Sequence, residues 1–181
     1  AIVVACNTVS AVALDMMRIE LDLPVLGVIL PGARAAIAAA NGAPIGVLAT
    51  TGTIASNAYP RAIASFSTRT IVHGQPAPLL VPLAEEGWVE GQVPRLVAQR
   101  YLTPLVAKGA RCIVLGCTHF PLLRGAIEEE LAALTDEPLT IVDSAHATAE
   151  DVATFLTERD LCADRDRPGK LDLLVTDVPK S

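Results

Sequence analysis

The sequence predicts an α/β protein built mostly on parallel sheet. Three observations carry that expectation. Short aliphatic runs at residues 1–5, 45–49 and 112–116 alternate with longer alanine- and leucine-rich stretches along the 181 residues, the pattern of strands joined by crossover helices. Those runs are apolar throughout rather than alternating, as strands covered on both faces are. Hydrophobic residues make up 51% of the chain and mean hydropathy is +0.45. No apolar run nears the roughly 18 residues of a membrane span, so this apolarity belongs to buried strands and alanine-rich helices.

Each element has a local reason. Residues 1–5 read as a buried strand, and the chain enters it directly from Ala1, which predicts further residues upstream to pair beside it. Thr8 or Ser10 caps a helix running to about Leu21, and Leu23-Pro24 ends it. Residues 25–29 read as strand. Pro31-Gly32 opens an alanine-rich helix, and Asn41-Gly42 supplies the residues that stop one. After the strand at 45–49, Thr50-Thr51-Gly52-Thr53 is a polar turn leading to a helix that ends near Phe66. A short strand is predicted at 70–72 and a proline-containing loop at 75–82. A helix spans roughly 93–108, with Pro104 a candidate kink. The strand at 112–116 leads to a helix from about Pro121 to Leu134. Residues 140–142 read as strand, 145–158 as a helix capped by Asp143 or Ser144, and 171–175 as a last strand.

Composition excludes some function classes. Fourteen basic against 20 acidic residues leave a net charge of −6, and aromatic residues are 3% of the chain. A nucleic-acid surface needs clustered Lys and Arg, usually with stacking rings, so no direct nucleic-acid binding is expected. A small anionic substrate stays compatible, since helix N-termini bind anions without basic side chains. The four cysteines are Cys6, Cys112, Cys117 and Cys162. They form no CxxC pair and no Cys/His zinc spacing, so no metal is expected, and they fit the reducing conditions of a cytoplasmic protein.

Two of these cysteines share a context. Residues 2–8 and 113–119 both run from apolar strand through a small residue to cysteine, polar residues and a helix. Ligands of parallel sheets bind beyond the carboxyl ends of the strands, where Cys6, Cys117, Thr50 and Thr53 all fall. A thiol titrates near 8.5 in water, and a helix N-terminus lowers that value. His119, two residues after Cys117, is placed to exchange protons with it. Two facing thiols can take a proton from one face of a carbon and return one to the other. Cys112 opens a strand and Cys162 sits in a polar tail, so both read as packing residues. His73 and His146 read as structural. The 50–53 turn is either a helix start or a ligand site, and Glu85-Glu86 either a solvated helix entry or a site carboxylate.

Ala5-Cys6-Asn7-Thr8 and Leu115-Gly116-Cys117-Thr118-His119-Phe120-Pro121-Leu122-Leu123 resemble the two signature motifs of the glutamate racemases, in the aspartate/glutamate racemase superfamily. Segments 49–54, 81–87 and 142–145 resemble family segments in the same order, and the likeness covers essentially the whole chain. The resemblance implies two similar parallel-sheet α/β domains with the active site in the cleft between them. By that guide the first comprises residues 1–28 and 140–181 and is truncated at its N-terminal side, and the second comprises 29–139. It also implies cofactor-independent interconversion of L- and D-glutamate, with D-glutamate feeding peptidoglycan synthesis. Cys6 and Cys117 would be the opposed bases and His119 the helper of Cys117. Asn7, Thr8, Thr50, Thr53 and Thr118 would hold the substrate, and Glu86 rather than Glu85 would assist. No pyridoxal phosphate is expected, since Lys108, Lys170 and Lys180 all lie near predicted element ends.

Family members begin with an earlier strand–loop–helix carrying an Asp-Ser-Gly segment, whose Asp would assist the first cysteine and which is not among these residues. Alternative expectations are racemisation of aspartate or another small amino acid, or an inactive truncated chain keeping only a protein-binding role of the gyrase-binding type known in some members. Family members are often homodimers.

Overall fold

The computed structural model describes residues 1–163 and 169–176. Strands β1 (Ile2–Val4) and β2 (Val25–Gly27) form a small parallel sheet in the register Ile2↔Val25 to Val4↔Gly27. Strands β3 (Ile45–Ala49), β4 (Val72–Pro76), β5 (Cys112–Gly116) and β6 (Thr140–Asp143) form a second parallel sheet in the order β4-β3-β5-β6. Helices between them supply the crossovers that parallel pairing requires. They are α1 (Asn7–Val12), α2 (Leu14–Glu20), α3 (Ile29–Ala40), α4 (Thr51–Ala55), α5 (Ala58–Phe66), α6 (Leu80–Glu85), α7 (Gln92–Ala107), α8 (Arg124–Leu134) and α9 (Ser144–Glu158).

The larger sheet is covered on both faces, which is why β3 and β5 are apolar at every position. On one face Leu48, Ile113 and Leu115 pack with Leu80, Leu102, Leu105, Phe120 and Ile127 from α6, α7, α8 and the turn before α8. On the other, Ile45, Val47 and Val114 pack with Ala33, Ala36, Tyr59 and Ile63 of α3 and α5. Both central strands are buried throughout, so their carboxyl ends are fixed points for whatever follows them. The small sheet is tied by Ser10, whose hydroxyl donates to the Val4 carbonyl at 2.9 Å and accepts from the Val28 amide at 3.3 Å.

Several boundaries differ from the sequence expectation. The helix after β1 breaks at Ala13 into α1 and α2. Helix α3 starts at Ile29, ahead of Pro31, because the first turn has no intrahelical N–H bond for proline to forfeit. It ends at Asn41 in the left-handed conformation, φ 46°. Strand β4 lies at 72–76 rather than 70–72. It sits at the sheet edge, where the terminal Pro76 costs no central ladder bond. Helix α6 forms inside the expected loop, with Pro82 again in a first turn. Helix α7 continues through Pro104. A 3-10 turn, Phe120–Leu123, precedes α8.

Residues 171–175 are not a strand. Leu171, Leu173, Leu174 and Val175 are exposed, Leu174 to 94%, and no described strand pairs beside them. An apolar run becomes a strand only when a neighbour takes up its backbone hydrogen bonds. The dividing line read from the sequence at residue 140 also meets a finding of its own. Strand β6 hydrogen-bonds to β5, from Cys112↔Thr140 to Leu115↔Asp143, and α9 packs on α3. By sheet membership β6 therefore goes with β3, β4 and β5.

Candidate active site

Cys6 and Cys117 each follow a strand end directly. Cys6 is the N-cap of α1, with extended backbone and an exposed side chain, and its carbonyl accepts the Ser10 amide at 2.9 Å. Cys117 follows β5 and is buried. Burial is the main cause that pushes the Cys117 thiol above its ordinary value. The backbone amide of His119 pulls it back, the charge of Cys6 pushes it further up, and the Thr118 hydroxyl and Phe120 amide pull it down. Ala5, the residue before Cys6, lines the same cavity as Cys117.

His119 stands beside Cys117 with Nδ1 3.7 Å from Sγ and 3.5 Å from the Thr118 hydroxyl. Its Nε2 lies 3.2 Å from Oε1 of Glu85. A thiol, an imidazole and a carboxylate thus stand in line, with the carboxylate fixing which ring nitrogen faces the sulfur. The sequence reading expected one glutamate of the pair, Glu86 rather than Glu85, to assist at the site, without naming its partner. Glu86 is instead the C-cap of α6 and lines an apolar recess with Leu79, Leu83 and Trp88. Neighbouring residues on a helix differ in direction by about 100°, so only one of the adjacent glutamates faces the histidine.

The threonines gather as well. The hydroxyl of Thr8 lies 2.8 Å from that of Thr50 and 3.0 Å from that of Thr53, and those two are 3.0 Å apart. Thr50 also caps α4, accepting the Thr53 amide at 3.3 Å. The trio joins the helix of the small sheet to the turn after β3. Thr118 is exposed beside Cys117. A cavity of about 340 Å³ runs past Cys117 and Thr118 to Ala5, Val28, Ser144 and Thr148.

Asn7 is placed differently from the other polar candidates. Its side chain is 2% exposed, and both ends of its amide are engaged. Oδ1 accepts from the Tyr59 hydroxyl at 2.7 Å, and Nδ2 donates to the Ser144 hydroxyl at 3.3 Å. Ser144 in turn donates to the Leu115 carbonyl at 3.4 Å. Burial pushes the Tyr59 phenol far above its ordinary range; the neighbouring Ser144 side chain acts against the rise and the charge of Asp143 adds to it. Tyr59 is therefore a donor at any ordinary pH. The sequence reading missed Tyr59, and it saw Ser144 only as a cap and family segment. A tyrosine opening an amphipathic helix and a serine after a strand carry no local mark of a partner so far along the chain.

Cys112 is fully buried in β5, where burial pushes its thiol up to about 12. Cys162 is exposed, 3.6 Å from the Thr157 hydroxyl. His146 pairs with Glu150 at 3.5 Å on the surface of α9. Among the described residues no three His, Cys, Asp or Glu side chains gather as metal ligands, and no helix is long and apolar enough to cross a membrane.

The profile of the Asp/Glu/Hydantoin racemase family matches residues 1–152. A glutamate racemase of Neisseria meningitidis is 45% identical over 180 residues, 99% of this chain and 65% of that relative. One of Geobacter metallireducens is 44% identical over 178 residues, 98% of this chain and 64% of the relative. The chain thus spans somewhat under two thirds of the length of these curated relatives. Among solved structures, a glutamate racemase of Francisella tularensis in complex with D-glutamate superposes with a TM-score of 0.80 at 33% identity. A glutamate racemase isoform of Bacillus anthracis does so at 0.79 and 37%. Each alignment covers 90% of this chain and 59% of the other. With two thiols at matching strand ends, a histidine on one of them and likeness along nearly its whole length, the chain belongs to the Asp/Glu/Hydantoin racemase family.

Proposed function

We propose that this site interconverts L- and D-glutamate without a cofactor, with Cys6 and Cys117 on opposite faces of the α-carbon. The observation that carries the reading is the Cys117–His119–Glu85 line, with Cys117 and Ala5, the residue before the second thiol, lining one cavity. In one direction the thiolate of one cysteine takes the α-proton. The electron pair left on carbon spreads into the α-carboxylate, and the thiol of the other cysteine delivers a proton to the opposite face. The two sulfurs end with exchanged protonation states, and His119, backed by Glu85, returns the proton on the Cys117 side. The hydroxyls of Thr8, Thr50, Thr53 and Thr118 hold the carboxylates and supply donors where negative charge develops. The Asn7 amide, fixed by Tyr59 and Ser144, belongs to the same wall. In the cytoplasm the product D-glutamate serves peptidoglycan synthesis. The names of the relatives, and the D-glutamate bound in the Francisella structure, support glutamate as the substrate.

Circular dichroism of glutamate at about 1 mM, a common upper KM, tests the reading. The protein should drive either enantiomer toward the racemate. Cys6→Ser and Cys117→Ser should each slow it by at least about 100-fold, the low end of a positioned acid–base group's contribution. Full activity in either variant refutes the two-base mechanism.

A further inference from the structure

We infer that Tyr59 and Ser144 are positioning residues that brace the two thiol-bearing strand ends against each other; this rests on the racemase reading for its kinetic consequence. The bonds run in one direction across the gap between the sheets. The Tyr59 hydroxyl donates to Asn7 at 2.7 Å, Asn7 donates to Ser144 at 3.3 Å, and Ser144 donates to the Leu115 carbonyl at 3.4 Å. Asn7 is the residue after Cys6, and Leu115 lies two before Cys117. The chain of bonds therefore begins beside one thiol and ends beside the other.

The surroundings are shaped for this brace. A Cβ on Gly32 would stand 3.1 Å from the Tyr59 hydroxyl and 3.2 Å from the Ser144 Cβ. One on Gly116 would stand 3.2 Å from the Tyr59 ring. Two glycines thus leave the slot in which tyrosine and serine meet. Tyr59 is 1% exposed and Ser144 4%, so no water competes for these bonds, and each partner lost leaves a buried polar atom unpaired. The sheets carrying the cysteines share no ladder bond. Side-chain contacts such as this one hold them in register.

Two-base racemisation needs both sulfurs at reach of one carbon at once, and a displacement of about 1 Å can cost about 100-fold in rate. Tyr59 and Ser144 bond to Asn7 and the Leu115 carbonyl rather than to a sulfur, so their effect passes through Asn7 and β5. The test uses Tyr59→Phe, Ser144→Ala and the double variant of the full chain. Iodoacetamide labelling of each cysteine is followed by mass spectrometry, and kcat and KM are measured in parallel. Cys112, buried in the same strand as the approach to Cys117, reports general loosening.

The brace predicts that Cys117 labels about tenfold faster in each single variant, as loss of one net hydrogen bond allows, while Cys112 stays protected. It predicts a kcat lowered by about 10- to 100-fold with KM within about threefold, and a double variant no worse than the weaker single. Unchanged Cys117 labelling, Cys112 labelling in step with Cys117, or unchanged kcat in both variants overturns it. Wild-type protein that does not racemise, together with variants that still show the selective Cys117 labelling, refutes the racemase reading and sustains the brace.

Discussion

Gly116→Ala adds a single methyl group at the last residue of β5, and the structure fixes where it goes. The new Cβ would lie 3.0 Å from the Ala49 Cβ, 3.2 Å from Cε2 of Tyr59 and 3.3 Å from the Leu48 carbonyl oxygen. None of these can yield cheaply. Two belong to β3 at the centre of the sheet, and the third is a ring held at its hydroxyl by Asn7. Overpacking of this kind costs about 1–3 kcal/mol. In a protein of this size each kcal/mol lowers Tm by about 2–4 °C, so a fall of about 2–12 °C is expected. The denaturant slope should stay constant, since the unfolded surface is unchanged. Gly125→Ala is the matched control. It lies in α8 with no atom within 4 Å of its would-be Cβ, so the same substitution should raise stability by about 0.5–1 kcal/mol through helix propensity. Urea and thermal unfolding of both variants decide the matter. A Gly116→Ala protein as stable as wild type, or a Gly125→Ala protein equally destabilised, would refute the reasoning.

Two further predictions concern titratable groups. Glu85→Gln should lower racemisation about fivefold while hardly moving Tm, because the half-exposed pair with His119 is worth only about 1 kcal/mol at most; Glu86→Gln should stay within about twofold, and the reverse order of the two would show that the wrong carboxylate faces the imidazole. The buried Cys112 thiol, raised from 9.0 to about 12, is neutral when folded and ionises more readily when unfolded. Its contribution is whole below about pH 9 and lost as pH rises through about 12, by up to about 1.4 kcal/mol per pH unit. Urea melts at pH 8, 9 and 10 should show this decline, and a Cys112→Ala protein with the same slope would assign it elsewhere.

The parts of the fold legible in the sequence were those that local composition determines. The strands at 45–49 and 112–116 are apolar at every position because both faces are covered, and Asn41 ends α3 because its backbone turns left-handed there. Proline misled at Pro31 and Pro82, where a first helical turn accommodates it. The run at 171–175 has the composition of a strand, but pairing partners are a property of the whole molecule. The site divides in the same way. The placement of Cys6 and Cys117 at strand ends, and of His119 beside Cys117, could be read from local context. The choice between Glu85 and Glu86 depended on the direction of one short helix. The part played by Tyr59 and Ser144 depended on contacts spanning 52 and 137 residues of sequence, which no local pattern records.

The threonine trio has a consequence for what can bind. Three hydroxyls carry three protons, and a closed triangle of 2.8, 3.0 and 3.0 Å can consume all of them internally. An incoming acceptor must draw one proton out of the triangle, so it exchanges one hydrogen bond for another. A neutral carbonyl returns a bond of the kind it displaced and gains little. A carboxylate returns one roughly twice as strong. A triangle of hydroxyls such as this would therefore favour a charged acceptor over a neutral one before shape is consulted.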